Sequence, residues 1–218
     1  MSKKIRITLF LVGFLTVAPS FSSLAQQLNS ASLYSLAMTN GGRYVLKYRP
    51  NRSTIFPNIA ELVKRSDLIV VGKTLGHRSK LRPDGRFITK DYWVRVQESI
   101  KGNLPVGQSI VVSLPGGAFR FPDGALVAVV PVDEKSPQDR QIYVFFLKAK
   151  LPVAVFSGYL LASETQGLFG LTNGIVDPAD TVGADPIVVK YHGMRAPDFL
   201  REIHKAIPPV IPGGGIIP

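Results

Sequence analysis

Three histidines, His77, His192 and His204, and no cysteine at all bound the chemistry open to this 218-residue chain. Without a thiol there is no disulfide scaffold, no Cys-ligated zinc, no thiolate nucleophile and no iron–sulfur cluster. His192 and His204 are not at the i, i+4 spacing that sets two imidazoles on one helix face. H-E-x-x-H is absent, and no D-x-D-x-D-G loop offers ligands to calcium. Serine chemistry lacks its G-x-S-x-G elbow. Asp133 and Glu134 adjoin in a polar stretch, which does not set two carboxyls across a cleft as glycoside hydrolysis requires. Gly116-Gly117 and Gly213 to Gly215 lack the Lys-Ser/Thr that follows a phosphate loop. The expectation is a non-enzymatic protein with no catalytic residue, no metal and no cofactor.

Two groupings suit recognition instead. Trp93 is the only tryptophan, and strand alternation puts it on one side with Thr89 and Arg95. An exposed aromatic beside a guanidinium stacks sugars, bases or peptide groups. The competing reading is that a helix or the N-terminal segment packs over Trp93. The second grouping is Arg43, Tyr44, Lys47, Tyr48, Arg49 and Arg52, a basic stretch interleaved with aromatics in a segment without an acid. It suits a polyanion such as an anionic envelope polymer or nucleic acid. It equally suits a solvated leader or a strand packed on the edge of the core.

The elements that must carry these residues are mostly strands. Pro57 opens a short helix in PNIAELVKR, with Ile59, Leu62 and Val63 on one side and Lys64 and Arg65 in its last turn. Leu68 to Val71 is apolar on both faces and predicts a buried strand that bends at Gly72. Arg82-Pro83-Asp84-Gly85 is a turn. Phe87 to Ile100 alternates, with Ile88, Tyr92, Val94 and Val96 opposite Trp93. Ser109 to Leu114, Ala125 to Val132, Gln141 to Leu147, Val153 to Leu161, Gly167 to Leu171 and Ile187 to Tyr191 predict further strands, with Gln141 to Leu147 central. Ala196 to Ile207 predicts a helix, with Phe199, Leu200, Ile203 and Ile207 on one face.

Lys3, Lys4 and Arg6, the uncharged run Ile7 to Ala18, and the small residues Ser23 and Ala25 before Gln26 make the three parts of a secretory signal peptide. The apolar run is shorter than the roughly 20 residues of a membrane span. The expected organisation is a signal peptide at 1–25, cleaved between Ala25 and Gln26, then a basic polar leader at 26–56. A single domain at 57–207 and a Pro/Gly-rich flexible tail at 208–218 follow. Cleavage removes three basic residues and no acid, which takes the formal charge from +11 to +8, and the leader holds four of those charges. The protein is expected to be exported, periplasmic or extracellular in a bacterium, with no stable membrane span once the signal is gone.

The order of motifs resembles an uncharacterised family of secreted bacterial β-domains: Ser66-Asp67, LIVVGK, a PDG turn, a long strand ending Ile100-Lys101-Gly102, IVVSLPGG, IYVFFLK and QGLFGL. More distantly it is similar to the netrin-like, tissue-inhibitor-of-metalloproteinases-like group, over roughly Glu61 to Leu171. The resemblance implies a mainly β, OB-like barrel of five or six strands, with the short N-terminal helix and the C-terminal helix outside it. Those inhibitors act through an N-terminal cysteine, which this chain lacks, so no inhibitory residue carries over. The function expected is a secreted or periplasmic binding module for a macromolecule or envelope component. The alternatives are an extracytoplasmic polyanion or nucleic-acid binder and a protease-inhibitor-like or peptide-binding domain.

Overall fold

Ile69, Val70 and Val71 are all buried, and that fixes their place: only an interior strand covered on both faces takes three consecutive apolar side chains out of water. The computed structural model describes residues 32–52, 55–149, 158–181 and 185–209. The signal segment with its Ala25/Gln26 junction, residues 26–31 of the leader, the start of the Val153 to Leu161 strand and most of the tail lie outside the described residues.

The described chain is mainly β, with two sheets and four helices. The elements are α1 (Leu33–Thr39), β1 (Arg43–Tyr48), α2 (Ile59–Arg65), β2 (Leu68–Leu81), β3 (Ile88–Lys101), β4 (Ser109–Pro115), β5 (Gly117–Arg120), β6 (Leu126–Pro131), β7 (Ile142–Lys148), β8 (Leu160–Leu161), β9 (Leu168–Thr172), β10 (Ile175–Pro178), α3 (Pro186–Tyr191) and α4 (Ala196–Ala206). The larger sheet runs β10-β9-β7-β2-β3-β4, with β8 beside β7, and all these pairs are antiparallel. The smaller sheet runs β1-β6-β5, with β1 and β6 parallel.

One face of the larger sheet, carrying Ile69, Val71, Val144, Phe146 and Phe169, packs with α2, α3 and α4. Phe146, Phe169, Phe199 and Tyr191 form a chain of ring contacts, with successive centroids 4.9–5.7 Å apart. The opposite face, with Val70, Tyr92, Val94, Val96 and Phe145, forms a second core. Gly72 joins the two strands that build it. A register shift falls between Val71 and Gly72, and a Cβ at Gly72 would collide with the Val94 side chain. The smaller sheet and α1 close a third cluster around Leu33, Ala37, Ile88 and Val127.

Three expectations need correction. Neither sheet is closed, whereas a barrel of five or six strands was expected. The chain leaves the larger sheet at Gly116 and Gly117, whose φ values of 108° and 122° suit glycine. It then builds β5 and β6 against β1, and the outer edge of β4 is met instead by Tyr159, which pairs with Val112 just before β8. Second, the folded body begins well before residue 57. Ser32 caps α1 by accepting from Ser35 N (3.1 Å), and Leu33 and Ala37 are buried. Third, Ile187 to Tyr191 is helical rather than extended. Asp185 Oδ1 accepts from Ile187 N (2.9 Å) and Val188 N (3.2 Å), and Pro186 opens the first turn. That Asp-Pro cap overrides the β-branched run behind it.

Candidate functional site

Strand β3 presents Trp93 and Arg95 outward between the buried Tyr92, Val94 and Val96. Trp93 keeps 41% of its surface in water, and none of the described helices covers it. Its cross-strand neighbours are Gly76 on β2 and Val111 on β4; those of Arg95 are Lys73 and Ser109. Directly opposed residues share a face. The result is an indole with no side chain on one flank, because Gly76 has none and the space above it is open. Lys73 and Arg95 form a cationic row beside it. Leu75, displaced by the register shift between Thr74 and Gly76, adds a second exposed apolar group, 40% accessible. Neither Lys73 nor Arg95 forms an ion pair among the described residues.

Thr89 does not belong to this platform. It is 4% exposed, because the reversal at Gly116 and Gly117 closes over that end of β3, with Gly116 N donating to Ile88 O (2.9 Å). Nearby Asp91 is also buried; it accepts from Ser113 Oγ (2.6 Å) and pairs with Lys80 Nζ (2.5 Å).

The basic stretch is divided by strand alternation. Arg43, Val45 and Lys47 point outward, while Tyr44, Leu46 and Tyr48 pack into the smaller sheet's core. The aromatics therefore do not interleave with the cations on one surface. Tyr48 lies edge-on to Phe87 (5.3 Å) and donates a short hydrogen bond to Glu164, which also accepts from Asn51 N (2.7 Å). Arg52 is committed as well. It grips Asp180 with both terminal nitrogens (2.8 and 2.6 Å), and Asp180 is almost wholly buried. Arg49 remains beside Lys47.

These contacts belong to a polar tie that sequence spacing did not reveal. Gln166, fully buried, accepts from Phe56 N (2.7 Å) and donates to Phe56 O and Asp185 Oδ1 (2.9 Å each). Three links thus bind residues 48–56 to the segments 163–166 and 180–185. Glu134 sits in the same neighbourhood, its backbone bridged to Asp180. Burial pushes its carboxyl up to about 8, reinforced by the charges of Glu164 and Asp180 and opposed by Arg52. Three of the neighbouring carboxylates have structural partners: Glu164 holds Tyr48, Asp180 holds Arg52, and Asp185 caps α3. The adjacency of Asp133 and Glu134 gave no sign of this, since the acids that converge on Glu134 are 30 and 46 residues away in the chain.

The histidines are dispersed. His77 Nδ1 lies 3.0 Å from Asp139, His204 Nε2 3.0 Å from Glu98, and His192 3.9 Å from Asp177. Among the described residues no group of three or more His, Asp or Glu side chains is arranged to hold a metal ion. None of the described helices is long and apolar enough to cross a membrane.

The residues that sequence reasoning missed are Lys73 and Leu75 beside Trp93, and Arg120 on β5. Lys73 needed the β2–β3 register, and Leu75 the bulge. Arg120 alternates with Ala118 just after Gly117, a short signal easily hidden by the glycines. Compared with known proteins, the chain matches no family model and no curated sequence.

Proposed function

We propose that the protein is an exported, non-enzymatic binding module that holds an anionic glycan of the cell envelope on the Trp93 platform. The observation that carries this reading is the exposed indole, open on its Gly76 side and flanked by the unpaired cations Lys73 and Arg95. An aromatic ring stacks on the apolar face of a sugar, and the cations meet its acidic substituents. The signal-like N-terminus supports export. In this reading the larger sheet corresponds to an opened OB-type barrel, and β3 serves as the ligand-bearing strand, as in that architecture.

The test is retention of the mature protein on immobilised anionic envelope glycan, with a neutral glucan and a single-stranded oligonucleotide as competitors. The expected result is retention lost in both Trp93→Ala and Arg95→Glu, with the far-ultraviolet spectrum and melting temperature of each kept. Displacement by the oligonucleotide at low concentration would favour nucleic acid as the ligand. Equal retention of wild type and both variants would remove the Trp93 face from the function.

A further inference from the structure

We propose that the outer face of the smaller sheet is a docking surface for an anionic phospholipid bilayer, separate from the Trp93 platform. The register builds it. Arg43 lies opposite Leu126, and Leu126 opposite Arg120, so two guanidinium groups flank one end of the face. Two residues along, Val45 and Ala118 flank Ala128. At the far end Lys47 lies opposite Val130, with Arg49 beyond. No outward position on β1, β5 or β6 is acidic.

The centre of this face is apolar although it is open to water: Val45 is 59% and Val130 45% exposed. Val45, Val130 and Val132 line a groove of about 470 Å³ whose remaining walls are Lys47 and Arg49. A solvated sheet face ordinarily alternates polar groups outward. Here the outward set is an apolar strip between cations. Arg43, Lys47, Arg49 and Arg120 form no ion pair among the described residues, and Arg120 makes only a 3.3 Å bond to Gly124 O. The one carboxylate lining the adjoining groove beside Arg43 is Asp123, and it already accepts from Tyr34 Oη (2.7 Å).

Charge complementarity selects the occupant. Cations at the rim attract an anionic headgroup layer, while the valines enter the boundary between headgroups and acyl chains. A soluble polyanion would use the rim and leave the valines idle. Nucleic acid would also be served better by an aromatic, and this face has none, since Tyr44 and Tyr48 point inward.

The experiment is co-sedimentation of the mature protein with phosphatidylglycerol-containing vesicles and with phosphatidylcholine vesicles. Wild type is expected to bind the first and not the second. The Lys47→Glu/Arg49→Glu double variant is expected to lose at least tenfold in affinity, because each cation near an anionic leaflet contributes about fivefold. Val45→Ser, which changes no charge, is also expected to weaken binding. Lys64→Glu/Lys205→Glu removes the same charge from α2 and α4 and is expected to bind like wild type, apart from a small general salt-dependent loss. All three variants alter exposed positions, and an unchanged melting temperature confirms that each folds. Failure of wild type to bind anionic vesicles would overturn the proposal. So would full retention by the Lys47/Arg49 variant, an equal loss in the Lys64/Lys205 control, or a valine variant indistinguishable from wild type. Glycan retention by the Lys47/Arg49 variant separates this result from the fate of the Trp93 reading.

Discussion

The two sheets are stabilised by different physics. The larger sheet carries aliphatic and aromatic cores on both faces around β2 and β7, which contain runs of buried residues, while β3 keeps its Trp93 side open. The smaller sheet buries one face only. It is joined to the rest by a modest apolar cluster and by polar links that include Tyr48 to Glu164, Arg52 to Asp180 and Phe56 to Gln166. Apolar burial is non-directional and tolerates small shifts. Buried polar links demand their partners, and leaving one side unpaired is expensive. The larger sheet should therefore set global stability, and the polar tie should fix where the smaller sheet sits.

The strongest way to break that contrast is a charge in the larger sheet. Val94→Asp or Phe145→Asp places an unpaired carboxylate at a fully buried position. Loss of the cooperative thermal transition is expected in both; a folded, cooperative variant would show that these positions are not interior. Next comes Arg52→Ala, which removes the guanidinium that grips the buried Asp180 carboxylate with both terminal nitrogens. A destabilisation of about 3 kcal/mol is expected by denaturant titration, with faster amide exchange in β1 and β6 than in β7. Uniform exchange across both sheets would contradict the division of roles.

A smaller effect is expected from Glu134. Its folded carboxyl titrates at about 8, well above the ordinary glutamate value of 4.5. Below pH 4.5 both folded and unfolded chains keep the proton, and no penalty arises. Between 4.5 and 8 the unfolded chain releases it and the folded one does not, so stability falls as pH rises through this window. Glu134→Gln is expected to remove that slope and to stabilise the protein by about 1 kcal/mol or more at pH 8. An unchanged pH–stability curve would place the carboxyl in water. Trp93→Ala should change stability least, by under about 1 kcal/mol, because its side chain is substantially exposed and closes no core.

Legibility in the sequence followed the range of the signal. Alternation in β3, the double-faced run in β2, the PDG turn and the apolar stripe of α4 are local patterns, and each element formed where its pattern lies. The Asn173-Gly174 turn joining β9 to β10 is equally local: φ values of 53° and 76° at its two central residues match the tight hairpin that this dipeptide favours. β9 lies where Gly167 to Leu171 predicts a strand, whereas its hairpin partner β10 has no counterpart among the strands expected from the sequence. Pairing between distant segments was not legible. The parallel β1–β6 ladder joins residues more than 80 apart, and with the packing of α1 and the links of Tyr48, Arg52 and Phe56 it makes this part of the leader belong to the folded body. The same holds for the sites. Trp93 and Arg95 were visible on one strand, whereas Lys73 required the register, and the loss of Thr89 required the crossing at Gly116 and Gly117. Arg52 looked free because its partner, Asp180, is 128 residues away.

The exposed, cation-flanked indole is the feature on which the functional reading rests, and the chain's single tryptophan makes it directly observable. Quenching of Trp93 fluorescence by iodide is the most direct measurement. An accessible indole beside Lys73 and Arg95 should be quenched more efficiently by iodide than by caesium, and added anionic envelope glycan should protect it saturably. Resistance to both quenchers, or quenching that the glycan leaves unchanged, would contradict the account.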